Sequence, residues 1–274
     1  MKRSTVKSGT AQLAVSQTGA GQALVFLHAG VADKRSWTPL IDALSETMGN
    51  FHGFAYDRRG FGDSSFTEER YSRVSDLVAV LDACELPSAV LIGNSQGGRI
   101  AIDAALLHAE RVRALVLIGT SVSGAPEVAA YPRNVAQIHQ KMEAAEAADD
   151  LGVLNRLEAH LWLDGPSSVE GRVAGTAREL FLDMNRRALN AASAGEATDS
   201  VDAWNNLSKI QIPVLLIVGA LDLPHLQERS AQMAEIMPDA EFVSMSDVAH
   251  LPALEAPQQC AEIISKFLAR HNIV

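Results

Sequence analysis

The sequence predicts an α/β fold: a mostly parallel, doubly wound sheet with helices on both faces and a helical insertion. Three observations carry this expectation. Uninterrupted apolar runs recur at residues 23–27, 89–92, 114–118 and 213–218, the pattern of strands buried on both faces. Stretches with helical spacing stand between the runs, and such alternation builds parallel sheets through right-handed crossovers. The rhythm breaks over residues 121–211 and then resumes. Loops after parallel strands share one edge of the sheet, where ligands bind in open α/β proteins.

Residues 5–17 alternate loosely and end at Gly19-Ala20-Gly21, which reads as one or two edge strands and a turn. The run 23–27 opens into the loop His28-Ala29-Gly30-Val31-Ala32-Asp33, and Ser36 is expected to cap a helix over 37–48. A short strand, 51–56, leads to a loop at 57–65 whose Arg58, Arg59 and Asp63 are suited to locking neighbouring loops. Residues 72–84 place Val74, Leu77, Val78 and Leu81 on one helical face, and Leu86-Pro87 ends that helix. The run 89–92 ends at Gly93, and Ile100, Ala101, Ala104 and Ala105 follow at helical spacing.

Over 121–211 the pattern is helical at 132–148, 151–163 and 173–192, with Gly165-Pro166 between the last two. Its apolar set, Met142, Leu154, Leu161, Trp162, Leu163, Phe181, Leu182 and Met184, packs the insertion and in part roofs a pocket. The run 213–218 restores the sheet. A helix over 226–237, a last strand at 241–245, the loop 246–252 and a closing helix over 257–270 complete the chain. The expected organisation is a core domain of residues 1–120 and 212–274 interrupted by a cap, 121–211.

A length of 274 residues, 47% hydrophobic and 20% charged, suits one large α/β domain with ample core. The net charge of −10, with no block of Lys and Arg, argues against nucleic acid and anionic membranes as partners. Cys84 and Cys260 match no metal or redox spacing, so no metal and no cofactor is expected. The charged start of the chain has no apolar stretch behind it, and no 18-residue apolar window follows. A cytoplasmic protein, monomer or homodimer, is the expectation.

The chemistry is concentrated at Gly93-Asn94-Ser95-Gln96-Gly97. A nucleophile in a strained strand-to-helix turn needs neighbours without bulk, which Gly93 and Gly97 supply. Chance places this pattern in about one chain in ten of this length, so the argument rests on partners elsewhere. A serine hydroxyl needs a base, and the base needs an acceptor that holds its tautomer. His250 lies in a loop directly after a predicted strand, and Asp222 lies just beyond the run 213–218. The order Ser95, Asp222, His250 is the order of a nucleophile-elbow hydrolase. Asp247, three residues from His250, is read as a loop-capping residue. Oxyanion donors are expected from the backbone of Gln96, which starts a helix, and of Gly30, with Val31 the alternative. His28 reads as structural and His225 as a rim residue near Asp222. Substrate contacts are expected from Val31, Trp162, His225 and Leu251.

Together Phe26-Leu27-His28-Ala29-Gly30, Asp57-Arg58-Arg59-Gly60-Phe61-Gly62-Asp63-Ser64, Gly93-Asn94-Ser95-Gln96-Gly97-Gly98, Gly219-Ala220-Leu221-Asp222 and Ala249-His250-Leu251-Pro252 resemble the α/β-hydrolase superfamily, in its order and over nearly the whole chain. The loop His28-Ala29-Gly30 with Arg35 and Trp37 is similar to esterase and 3-oxoadipate enol-lactonase-like members, although Ala29 stands where glycine is commoner. The resemblance implies an eight-stranded sheet with an inserted cap and a Ser-His-Asp hydrolase of carboxylic esters or lactones. A serine nucleophile argues against the dehalogenase and epoxide hydrolase branches. A C–C bond hydrolase or lyase with the same triad is the alternative, and a non-catalytic ligand receptor a further one. A dianionic lactone would need cations such as Lys34, Arg35 or Arg99, and the apolar cap favours a small or medium uncharged ester.

Overall fold

A computed structural model describes residues 2–273. Its strands are β1 (Lys2–Ser8), β2 (Ala11–Gly19), β3 (Gln22–Leu27), β4 (Phe51–Tyr56), β5 (Ala89–Asn94), β6 (Val112–Ile118), β7 (Val214–Gly219) and β8 (Ala240–Met245). They form one sheet in the order β1-β2-β4-β3-β5-β6-β7-β8. β1 and β2 pair antiparallel at one edge, and β2 runs antiparallel to β4. Every pair from β4 to β8 is parallel. The α/β-hydrolase architecture expected from the sequence is therefore present, with its eight-stranded, mostly parallel sheet.

Helices α1 (Thr38–Met48) and α9 (Pro257–Arg270) cover one face of the sheet. Helices α2 (Arg73–Ala83), α3 (Gln96–Leu107) and α7 (Pro224–Ile236) cover the other. The two-residue period of a strand sorts the side chains. Leu24, Phe26, Val90, Ile92, Val116, Leu215 and Ile217 meet Leu40, Leu44, Ile264 and Phe267. The alternate residues Val25, Leu27, Leu91, Leu115, Leu117 and Leu216 meet Leu77, Leu81, Ile100 and Met233. Truncating any such buried Leu or Ile to Ala costs about 2–5 kcal/mol.

The insertion carries α4 (Arg133–Ala147), α5 (Leu151–Glu158), a π-helical turn at Ala159–Asp164, and α6 (Gly175–Leu189). Leu163, Phe181 and Met184 pack on Ala29, Ala32, Leu251 and Leu254. Val135, Ile138 and Leu161 pack on Leu223 and Leu226. The insertion thus sits on the loops that follow β3, β7 and β8, at the carboxyl edge of the sheet. By Ala203 the chain is back beneath the sheet, where Ala203, Leu207 and Ile210 join the α2/α3 layer.

Two local expectations give way. Ser36 does not cap a helix: a 3-10 turn, Lys34–Trp37, precedes α1, and Asp33 caps it by accepting from Arg35 N at 2.9 Å. The Ser36 hydroxyl turns back and donates to Asp33 O at 2.8 Å. The helix expected over 151–163 is α-helical only to Glu158 and then widens into the π turn, a local form frequent at functional sites. No helix of the described residues is long and apolar enough to cross a membrane.

Candidate active site

Ser95 stands between β5 and α3 with φ 54° and ψ −116°, a conformation that L-residues rarely adopt. Its glycine neighbours are required by contact. A Cβ on Gly93 would lie 2.5 Å from Gly98 N, and one on Gly97 would lie 2.0 Å from Leu27 O. The turn therefore closes only against bare backbone. Ser95 N donates to Ile118 O at 2.9 Å, which docks the elbow on the end of β6.

Asp222 follows β7 and is buried, as is His250 after β8. Asp222 Oδ1 accepts from Leu223 N at 2.7 Å. Its Oδ2 lies 2.7 Å from His250 Nδ1. A carboxylate oxygen accepts, so the proton belongs on Nδ1 and Nε2 keeps its lone pair. A Cβ on Gly119 would stand 2.9 Å from His250 Nδ1 and 3.1 Å from Asp222 Oδ2. The Asp222–His250 pair thus abuts Gly119, one residue beyond the carbonyl that holds Ser95. Asn94 completes the junction, its Nδ2 donating to Ile118 O at 2.8 Å and to His250 O at 3.1 Å.

The insertion holds the histidine loop. His250 N donates to Trp162 O at 3.1 Å, and the two rings lie 4.6 Å apart. The buried Glu255 carboxylate, in the short helix α8 (Pro252–Glu255), accepts from Ala249 N at 3.0 Å and Leu251 N at 3.1 Å. Arg172 of the insertion pairs with Glu255 and donates to Leu163 O, Asp164 O and Asp247 O. Burial raises the Glu255 carboxyl above its usual range, against the pull of those amides and of Arg172.

The loop after β3 lies against the elbow: a Cβ on Gly30 would sit 3.1 Å from the Gln96 side-chain amide. Arg58 ties the two together. Its Nη1 donates to Gln96 Oε1 at 3.0 Å, and its Nη2 to His28 O at 3.2 Å and Ala29 O at 3.1 Å. His28 is structural. Its Nδ1 donates to Ala29 O at 2.8 Å, and its Nε2 accepts from Arg58 N at 3.1 Å. Burial, then Arg58, hold its pKa well below the usual histidine value.

The loop 57–65 does lock its neighbours. Arg59 bridges Asp76 and Glu69, and Asp63 pairs with Lys34. Lys34 also pairs with Asp57 at 2.5 Å, Arg35 with Asp33 and Asp183, and Arg99 with Ser123 and Asp103. Asp247 is exposed on a positive-φ turn, away from the role of His250's acceptor. Val31 is half-buried and Leu251 fully buried, both in the apolar cluster under Phe181 and Met184. His225 is half-buried and lines a cleft of about 470 Å³ with Tyr131 and Arg229; burial lowers its pKa. Among the described residues no group of three or more His, Cys, Asp or Glu is arranged to hold a metal. Asn94, Arg172 and Glu255 were not singled out by the sequence, because their partners lie far away along the chain.

Residues 24–263 match the family model described as the alpha/beta hydrolase family. A Bacillus subtilis (strain 168) protein, carrying the provisional name 2-succinyl-6-hydroxy-2,4-cyclohexadiene-1-carboxylate synthase, is 30% identical over 96% of this chain and 97% of its own. A 2-hydroxymuconate semialdehyde hydrolase of Pseudomonas sp. (strain CF600) is 26% identical over 92% of this chain and 88% of its own. A solved structure described as Est816, an N-acyl homoserine lactone degrading enzyme, superposes with TM-score 0.74 at 26% identity, covering 96% of this chain and all of that one. Fold and site together define an elbow-bearing α/β protein. The chain belongs to the alpha/beta hydrolase family.

Proposed function

We propose that the protein is a serine hydrolase of carboxylic esters or lactones. Ser95 Oγ attacks the carbonyl carbon and its proton passes to His250 Nε2. Asp222, bonded to Nδ1, holds that tautomer and stabilises the imidazolium that forms. Backbone N–H groups of Gln96 and Gly30 donate to the oxyanion, and the start of α3 adds its dipole. The carbonyl re-forms as the C–O bond to the leaving group breaks, and His250 returns the proton to that oxygen. Water then attacks the acyl-enzyme with His250 as base, releasing the acid and restoring Ser95. The observation that supports this most is the convergence on residues 118–119 of Ser95, through its backbone bond, and of the 2.7 Å Asp222–His250 pair.

Val31, Trp162 and Leu251 belong to one apolar cluster beside the histidine loop, and the commitment of Lys34, Arg35 and Arg99 to other partners supports an uncharged reacting end. The test is hydrolysis of short p-nitrophenyl esters together with labelling by a fluorophosphonate. Both should vanish in Ser95→Ala, and full activity in that variant would sink the reading. A second reading, C–C bond cleavage or a lyase reaction by the same triad, is favoured by the names of the Pseudomonas and Bacillus relatives. A vinylogous keto acid and a cyanohydrin assayed beside the esters separate the two.

A further inference from the structure

One short segment of the insertion, residues 162–165, touches the loops of both Asp222 and His250. An α-helix continued through Trp162 would spend its carbonyl on the N–H four residues on, and that residue is Pro166, which has none. Trp162 O is therefore left for His250 N, which donates to it at 3.1 Å. Gly165 is buried with φ 91°. A Cβ there would lie 2.5 Å from Leu221 O and 3.4 Å from Ala249 Cβ. Leu221 precedes Asp222 and Ala249 precedes His250, so the Gly165 backbone is seated between the two loops. The loops are themselves joined, Leu221 N donating to Val248 O at 2.9 Å.

Asp164, inside this segment, is fully buried. Its Oδ1 accepts from Val173 N at 3.0 Å, and its Oδ2 from Gly171 N at 2.8 Å and from Arg178 Nη1 of α6 at 2.8 Å. Its carbonyl accepts from Arg172 Nε at 2.7 Å. The carboxylate thus folds residues 164–173 into a closed loop, from which Arg172 goes on to Asp247 O and Glu255. A buried ion pair commonly stabilises a fold no more than apolar residues of the same volume, and its best-attested use is to fix one arrangement among several. Here the arrangement fixed is the seat of residues 162–165 against the acid and base loops.

We propose that Asp164 is a positioning residue of the active site: it holds Trp162 O on His250 N and Gly165 between the two loops, so that the insertion sets the geometry of the Asp222–His250 pair. The inference rests on the triad of the ester or lactone reading. The test variant is Asp164→Asn. Whichever way the amide turns, its NH2 group faces either Val173 N or Gly171 N with Arg178, all of them donors. Two readouts are taken: the downfield proton resonance of His250 Nδ1–H, assigned by its loss in His250→Gln, and steady-state hydrolysis of p-nitrophenyl acetate. In Asp164→Asn the resonance should move upfield or broaden, and kcat should fall about tenfold with KM within about twofold of the parent. Arg178→Gln removes only the donor on the wetter side of the pair, and should act in the same direction by about threefold. Asn155→Ala breaks bonds to Leu182 O and Asn185 that lie wholly within the insertion, and should leave both readouts at the parent value. Parent resonance and parent kcat in both Asp164→Asn and Arg178→Gln overturn the proposal. So does an Asn155→Ala variant that matches Asp164→Asn, because a general loosening of the insertion then suffices. If Asp164→Asn does not fold, Arg178→Gln decides by the same criterion. If the parent is inert towards every ester, the ester reading falls and the resonance alone decides the role of Asp164.

Discussion

Replacing Arg172 with Met tests how far the insertion governs the histidine loop. The Arg172–Glu255 pair is asymmetric: the Glu255 side chain is 3% exposed and that of Arg172 24%. Breaking a fully buried pair costs about 3–5 kcal/mol. Here Glu255 keeps its bonds to Ala249 N and Leu251 N, and water reaches the arginine side, so about 2 kcal/mol is expected. In a chain of this size that lowers Tm by about 5 °C. The pH dependence carries a sign. The folded-state pKa of Glu255 is raised above its ordinary value, so the folded protein favours the protonated acid. Its contribution is most favourable below the unfolded pKa and is lost as pH rises through the folded one. Removing Arg172 raises the folded pKa further, so the variant should lose more stability at pH 8 than at pH 5. Adding Glu255→Gln removes the charge and should recover most of that loss. Because Ala249 and Leu251 flank His250, kcat should fall by about tenfold with KM little changed. Thermal melts at pH 5 and pH 8 with steady-state kinetics decide it. Equal losses at the two pH values, or a Tm within 1 °C of the parent at pH 8, would refute the coupling.

Other outcomes follow from the same geometry. Asp222→Asn should keep the fold and lower kcat by about 10⁴-fold, since Nδ1–H loses the carboxylate that fixes the tautomer; ester kinetics beside circular dichroism checks it. Gly97→Ala places a methyl 2.0 Å from Leu27 O, backbone that cannot step aside, and should cost more than about 3 kcal/mol in denaturant unfolding. Gly152→Ala, in α5 with its nearest contact at 3.4 Å, should instead add about 0.5–1 kcal/mol. Trp162→Leu removes the ring packed on His250 and should raise KM and lower kcat together, by a few-fold each.

The strands are the most legible part of the fold. The apolar runs mark β3, β5, β6 and β7 because strands buried on both faces admit little else. Ser95 stands out because its turn excludes Cβ atoms on both sides, a constraint written within five residues. Asp222 and His250 are legible from their places after strands. Ser36 misled because a serine before a helical stretch is a good cap, whereas Asp33, three residues earlier, captured the turn first. The π turn at 159–164 carries no sequence signal: Leu161, Trp162 and Leu163 read as one more turn of α-helix, whereas in the fold Leu161 and Leu163 sit in different apolar clusters with Trp162 packed against both. Arg58 was legible as a loop lock.

By itself the sequence determined the sheet, the order of its elements, the strained serine and the loops that carry Asp222 and His250. Those features follow from local sterics and from hydrophobic periods of two and 3.6 residues, which act over one element at a time. The tertiary structure alone decided which charges meet. Lys34, Arg35 and Arg99 met carboxylates, Arg58 met backbone carbonyls, and Glu255 found Arg172 at a separation of 83 residues. Pairing depends on which groups the fold brings within a few ångströms, and sequence distance does not report that.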